Sequence, residues 1–233
     1  MFHGTAATVV LLRDAPEGLQ VLLLERPRNR GSFAGAWVFP GGVVDPGDYG
    51  QSADDDVELA AARQAGVRET AEETGLQLKV AELRRLSCWV PPPEAPRRYR
   101  TWFFLAPAPD GDILLSPDEH VDSVWLAPDE ALERHQAGTM SLFPPTWVTL
   151  HGLLGAGTVE QALARASAAA PETYATRQLP GHVPPAMVWH GDAEYPDSAD
   201  PAATFDEGTT PRDPSSRHRL IMDENRWSYE RTC

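Results

Sequence analysis

Residues 68–76 read RETAEETGL, with Glu69, Glu72 and Glu73 at relative positions i, i+3 and i+4. On a helix that spacing gathers the three carboxylates on one face, within a turn of each other. Like charges so placed repel by about a few tenths of a kcal/mol per pair. Three arrangements would justify them. One is a solvated acidic face. A second is a set of salt bridges, with Arg68 pairing Glu72 at i+4. The third is a site for hard divalent cations, whose charge offsets the repulsion. Spacing alone leaves all three open.

The elements that must position these residues can be read on either side. A helix is expected from Val57 to Thr74, with Asp54 to Asp56 at its start, where negative charge suits the dipole, and Gly75 as its C-terminal stop. Upstream, TAATVVLLR (5–13) and LQVLLLER (19–26) are apolar, β-branched runs separated by the turn signal DAPEG, so they predict a buried hairpin. AWVFPGG follows as a short strand ending in Pro40, Gly41 and Gly42, and residues 45–56 read as an acid-rich loop. Downstream come strands at 97–106 and 120–128, the second followed by a short helix at 129–136. Two further helices are expected at 144–155 and 159–170, an irregular wrap over 175–215, and a closing hairpin around Asp223, Glu224 and Asn225. This strand-rich α/β order predicts a domain over residues 1–140, with residues 141–233 as an extension packed on it rather than an independent unit.

The 22 prolines among 233 residues are about twice the average share, and predict loop-rich parts. A net charge of −14 argues against a grip on nucleic acid polymers or anionic membranes, which favour basic patches. It is compatible with a small phosphorylated substrate if metal ions and a few arginines neutralise the site. The two cysteines, Cys88 and Cys233, are far apart and suggest neither a disulfide framework nor a zinc site. The N-terminal run lacks a basic n-region and is too short for a signal peptide, and no apolar run reaches membrane-spanning length. A cytoplasmic protein is the expectation.

With the Gly-rich FPGG upstream and the acid-rich loop between, the chain resembles the Nudix hydrolase family. That family's signature has the form Gly-x5-Glu-x7-Arg-Glu-U-x-Glu-Glu-x-Gly-U, with U aliphatic. Arg68, Glu69, Glu72, Glu73, Gly75 and Leu76 match its second half, and Thr70 departs from it. In GGVVDPGD, counting from Gly42, Asp48 falls where the first Glu belongs. Residues 49–67 then stand where the signature has seven residues, an insertion of 12. Branches with such an insertion include enzymes that cleave coenzyme A, and the C-terminal FPPTWVTLHGLL and LPGHV are similar to the extension of that branch.

The resemblance implies a Nudix-type α/β/α sandwich with a mixed sheet, and Mg²⁺- or Mn²⁺-dependent cleavage of a pyrophosphate bond. The substrate would be a nucleoside diphosphate linked to another moiety: coenzyme A or its esters first, with NADH, ADP-ribose or a nucleoside triphosphate also open. Glu69, Glu72 and Glu73 are carried over as metal ligands. Glu119, in SPDEHVDSVW, is the loop candidate for the general base beside Glu72 and Glu73, with an exposed turn acid as the bland alternative; His120 beside it reads as incidental. Arg68 and Gly75 are expected in structural roles. Gly41, Gly42, Arg28, Phe33, Arg98 and Trp102 are candidates for substrate contacts, by close backbone approach, phosphate pairing or base stacking. A homodimer is compatible with the extension. Two other readings stay open: a Nudix-like ligand-sensing module, and an isopentenyl diphosphate isomerase-like enzyme, which would need a cysteine in the site.

Overall fold

The computed structural model describes residues 2–29, 34–50, 56–196 and 213–232. The first two apolar runs form the expected hairpin, β1 (Gly4–Ala15) and β2 (Gly18–Glu25), paired from Leu12↔Val21 to Ala15↔Gly18. Strand β1 is buried on both faces along its middle, the pattern of a central strand. Two short strands follow, β3 (Trp37–Val38) on β2 and β4 (Gly41–Val43) on the first half of β1. Strand β6 (Tyr99–Pro107) runs parallel to β1 from Gly4↔Tyr99 to Leu12↔Pro107, and β5 (Arg84–Val90) lies antiparallel to β6. Strand β7 (Asp122–Leu126) pairs with the second half of β2, and β8 (Glu172–Ala175) runs parallel to β5. The sheet order is therefore β3-β2-β1-β6-β5-β8, with β4 on β1 and β7 on β2.

Alternation along these strands fills two cores. Ala7, Val9, Leu11, Leu22, Leu24, Phe104 and Ala106 face one side, where they meet Ala61, Ala62 and Ala65 of α1 (Val57–Thr74). The intervening residues Val10, Leu12, Val21, Leu23, Phe103 and Leu105 face the other. There they meet α2 (Pro128–Gln136), α3 (Pro144–Leu153) and α4 (Val159–Ala168). This is the expected α/β/α sandwich with a mixed sheet. Helix α1 has the bounds read from the sequence. The Asp56 carboxylate accepts from the Leu59 N–H at 3.0 Å, and Gly75, with φ 77°, donates its N–H to the Ala71 carbonyl at 2.9 Å, closing both ends. Asp54 and Asp55, also read at the helix start, lie outside the described residues.

A second sheet, of order β12-β11-β10-β9, is built from β9 (Arg177–Gln178), β10 (Ala186–Val188), β11 (His218–Asp223) and β12 (Arg226–Arg231). The closing hairpin turns at Glu224, at φ 47°. The sequence predicts an irregular stretch over 175–215, of which 197–212 lie outside the described residues, yet β9 and β10 lie within it, and β10 pairs with both β9 and β11. Strands of two and three residues are too short to show a period of two. Trp189 and Leu220 of this sheet region share a core with Leu12 and Leu105 of the main sheet. The Trp89 ring of β5 stacks on Tyr174 of β8 at 4.1 Å, and Trp189 meets both edge-on. The fully buried Asp192 accepts a fork from Arg219 at 2.7 and 2.5 Å and the N–H groups of Glu194 and His218, so its charge is compensated. No helix among the described residues is long and apolar enough to cross a membrane.

Candidate active site

Arg68, late in α1, organises the acidic face. Its Nε and Nη2 donate to the two oxygens of Asp48 at 3.1 and 2.9 Å. Nη2 also donates to the Val43 carbonyl at 3.0 Å, and Nη1 donates to Glu69 at 2.8 Å and Glu72 at 3.2 Å. A guanidinium has five N–H groups, and each has an acceptor here. Asp48 is 7% exposed and reaches Arg68 from the short helical turn Pro46–Asp48. Asp48 therefore meets Arg68 although residues 49–67 stand between them in the chain. Burial works to raise the Asp48 carboxyl, but the Arg68 hydrogen bonds and charge and the Asp45 N–H outweigh it, holding it below the usual carboxylate range.

The glycine loop lies directly against this face. Gly41 sits at φ +153°, where a Cβ would run into the Ala7 carbonyl, so only glycine fits. Its N–H donates to Glu73 Oε2 at 2.8 Å. A Cβ on Gly42 would enter the Glu69 carboxylate, well inside 3.0 Å. Thr70, which broke the aliphatic pattern, is fully buried and donates its hydroxyl to the Gly66 carbonyl at 2.7 Å. Its polar atom is satisfied within the helix, which lets it stand in a core position.

A distant loop completes the constellation. The turn Ser116–Val121, fixed by the Glu119 and His120 N–H groups on the Ser116 carbonyl, carries His120 to Glu73, where Nε2 and Oε1 are 2.9 Å apart. The two residues are 47 positions apart in the chain, and both are buried. The exposed Glu119 offers a ligand atom within 4.8 Å of those of Glu73 and His120. The reading of His120 as incidental is corrected here. It rested on sequence neighbours alone, and its partner is supplied only by the fold.

Electrostatics point the same way. Burial, set against the pull of Arg68 and reinforced by the charges of Glu73 and Glu72, pushes the Glu69 carboxyl up to about 7. A carboxylate face so crowded gains from an added cation. Glu73 and Glu119 bring carboxylate oxygens together beside His120, and carboxylate oxygens suit Mg²⁺ or Mn²⁺. The residues fit such an ion. The geometric cluster is not the set read from the sequence, however. It joins Glu73 to the loop residues, while Glu69 and Glu72 are drawn together by Arg68.

The remaining candidates are placed unequally. Arg28 is 83% exposed and pairs with Glu25 at 3.1 Å, and the Glu25 carbonyl accepts the Val121 N–H at 2.9 Å. Glu25 thus contacts both Arg28 and the loop that carries Glu119. Arg98 is buried, with its Nε and Nη2 donating to the Pro91 carbonyl at 3.3 and 3.2 Å. Trp102 donates its indole N–H to Glu58 at 3.0 Å, and Arg100 pairs with the same carboxylate. Phe33 lies outside the described residues. Cys88 is free and buried, and burial pushes its thiol up to about 12, which leaves it an inert thiol.

A family model described as the NUDIX domain matches residues 2–148. Among solved structures, a NUDIX hydrolase from Alicyclobacillus acidocaldarius is 27% identical, with a TM-score of 0.62, over 70% of this chain and 97% of that one. A MutT NUDIX hydrolase from Burkholderia pseudomallei is 24% identical, with a TM-score of 0.47, over 64% and 95% of the two chains. The NUDIX domain of Shewanella oneidensis NrtR, solved with ADP ribose, is 19% identical, with a TM-score of 0.49, over 71% and 89%.

Proposed function

This chain belongs to the Nudix hydrolase family and is a pyrophosphohydrolase, and we propose that it uses Mg²⁺ or Mn²⁺ to cleave a nucleoside diphosphate linked to another moiety, coenzyme A or its esters first. The observation that carries the metal dependence is the convergence of carboxylates: the loop acid Glu119 comes to Glu73, on the helix face that also bears Glu69 and Glu72. Glu69, Glu72 and Glu73 would hold the ion. When bound, it neutralises phosphate charge and makes a coordinated water more acidic.

The chain's own groups supply the rest. Arg68 keeps Glu69 and Glu72 oriented through its Nη1 donors. Glu119, exposed at the loop tip, takes the proton of the attacking water as its oxygen bonds to phosphorus and the anhydride P–O bond breaks. A base so placed contributes about 10²–10⁴-fold. Glu72 and Glu73 are the other carboxylates within the reacting region. Gly41 and Gly42 let backbone approach the phosphates, and the exposed Arg28, held by Glu25, pairs with one of them. Arg98 and Trp102 would act from the shell around the nucleotide, through the backbone and Glu58 contacts that hold them.

Coenzyme A is favoured by the insertion within the signature and by the extension. Residues 57–67 of the insertion form the first part of α1, which carries Glu58 onto Arg100 and Trp102 of β6. We take residues 1–140 as the catalytic domain and 141–233 as an extension packed on it, a division supported by the core they share. The single described cysteine, a free buried thiol, suits a reducing compartment such as the cytoplasm.

The test is phosphate release, coupled to a phosphatase, from coenzyme A, acetyl-coenzyme A, NADH, ADP-ribose and dGTP with Mg²⁺ or Mn²⁺. Metal-dependent turnover, highest on a coenzyme A substrate and collapsing in Glu73→Gln, is expected. Turnover ranked differently would overturn the substrate. Absence of both turnover and metal binding would overturn the metal-dependent reading.

A further inference from the structure

We propose that His120 is the positioning residue for the Glu73 carboxylate, holding it in the plane from which it meets a divalent cation. This rests on the reading of Glu73 as a metal ligand given above. The terminal torsion of a glutamate is broad and roughly two-fold, so a carboxylate orients only if something outside it does the work. Glu73 is held from both sides: the Gly41 N–H donates to Oε2 at 2.8 Å, and His120 Nε2 lies 2.9 Å from Oε1. Gly41 alone would fix one oxygen and leave the other to swing.

The hydrogen must lie on Nε2. A carboxylate only accepts, and Nδ1 of His120 is buried with no hydrogen-bonding partner among the described residues. A hydrogen on Nδ1 would therefore be an orphaned buried donor, which is unfavourable. The ring is thus a one-way donor aimed at Glu73. Each Glu73 oxygen accepts one hydrogen bond and keeps a lone pair for an ion. Since Nε2 is occupied with its hydrogen, His120 acts through Glu73 and is not itself a ligand. Partners of this kind, behind a ligand, typically change metal affinity by about 10–100-fold when removed.

Glutamine and asparagine separate the argument from general packing. Glutamine can present an amide N–H near the place of Nε2, whereas asparagine reaches only to about Nδ1. Mn²⁺ binding to the chelator-stripped full-length chain would be followed by calorimetric titration and by electron paramagnetic resonance. Thermal unfolding of the metal-free protein would be measured alongside. Wild type and His120→Gln should bind within a few-fold of each other. His120→Asn and His120→Ala should bind about 10–100-fold more weakly. A role in packing alone would lower the unfolding temperature of His120→Asn with Mn²⁺ affinity unchanged, and would overturn the proposal. Equal weakening of the Gln, Asn and Ala variants would overturn it in favour of direct ligation by the imidazole. Absence of Mn²⁺ binding by wild type would remove the metal-dependent reading itself, and a Glu73→Gln variant binding like wild type would remove Glu73 from the ligand set; either removes this inference too.

Discussion

Replacing Arg68 by lysine keeps the positive charge and removes the fork. An ammonium on a flexible stem can stay with Asp48 but cannot also reach Glu69, Glu72 and the Val43 carbonyl. One of the two Asp48 bonds would go, at about 1 kcal/mol, because Asp48 is 7% exposed and cannot turn to water instead. The Glu69 and Val43 bonds add about 1 kcal/mol each. Glu72, with its side chain 57% exposed, loses close to nothing. The loss comes to about 3 kcal/mol. For a chain of this size that lowers the unfolding midpoint by roughly 6–12 °C, at about 2–4 °C per kcal/mol. The assay is thermal unfolding of chelator-treated protein, read by tryptophan fluorescence. Asp48→Asn should fall in the same range, and the double variant by less than the sum, since both act on one contact. A drop of under about 1 °C for Arg68→Lys, or strict additivity with Asp48→Asn, would refute the hub as a source of stability.

Gly42→Ala should weaken Mn²⁺ binding about tenfold or more while shifting the unfolding midpoint little. The new methyl would displace the Glu69 carboxylate, and an unchanged affinity would take Glu69 out of the ligand set. Three histidines far from the box set an acid limit. Burial lowers His135, His151 and His218 from 6.5. The unfolded chain therefore protonates first, so the stability they contribute is present above 6.5 and is lost as pH falls through their lowered folded values. Glu69 works oppositely: raised from 4.5 to about 7, its contribution is present below 4.5 and lost as pH rises through about 7. Urea unfolding of Glu69→Gln between pH 8 and pH 5 isolates the histidines. A falling midpoint is expected, and a flat one would contradict their burial as neutral rings.

Much of the site could be read because its parts are close in sequence. Glu69, Glu72 and Glu73 share one turn, Gly75 ends the same helix, and Asp48 follows from counting beyond Gly42. The helix bounds were legible because Asp56 and Gly75 are strong local signals and alanines mark the face between them. His120 was not legible: a histidine carries no mark of a carboxylate 47 positions away, and its loop is brought to α1 by the pairing of β7 with β2 and by the Leu114 and Ser116 N–H groups on the Thr74 and Glu73 carbonyls. The later part of the insertion, residues 57–67, was legible as helix, and forms the first turns of α1. Strands β9 and β10 escaped notice because their partners, not their own residues, define them. Arg98 was chosen from residue type near a strand start, and spacing gave no sign that its Nε and Nη2 donate to the Pro91 carbonyl.

Strand β8 has a consequence for how far this chain can be shortened. It lies along the outer side of β5 from Ser87 to Val90, and the domain match ends at residue 148, well before it. A chain cut there would leave Cys88, Trp89 and Val90 with an unpaired backbone edge, and the Trp89 ring without Tyr174 against it. A bare apolar edge is a template on which another chain can add a strand. A fragment ending at residue 148 is therefore expected to associate with itself, where the chain with β8 covers that edge.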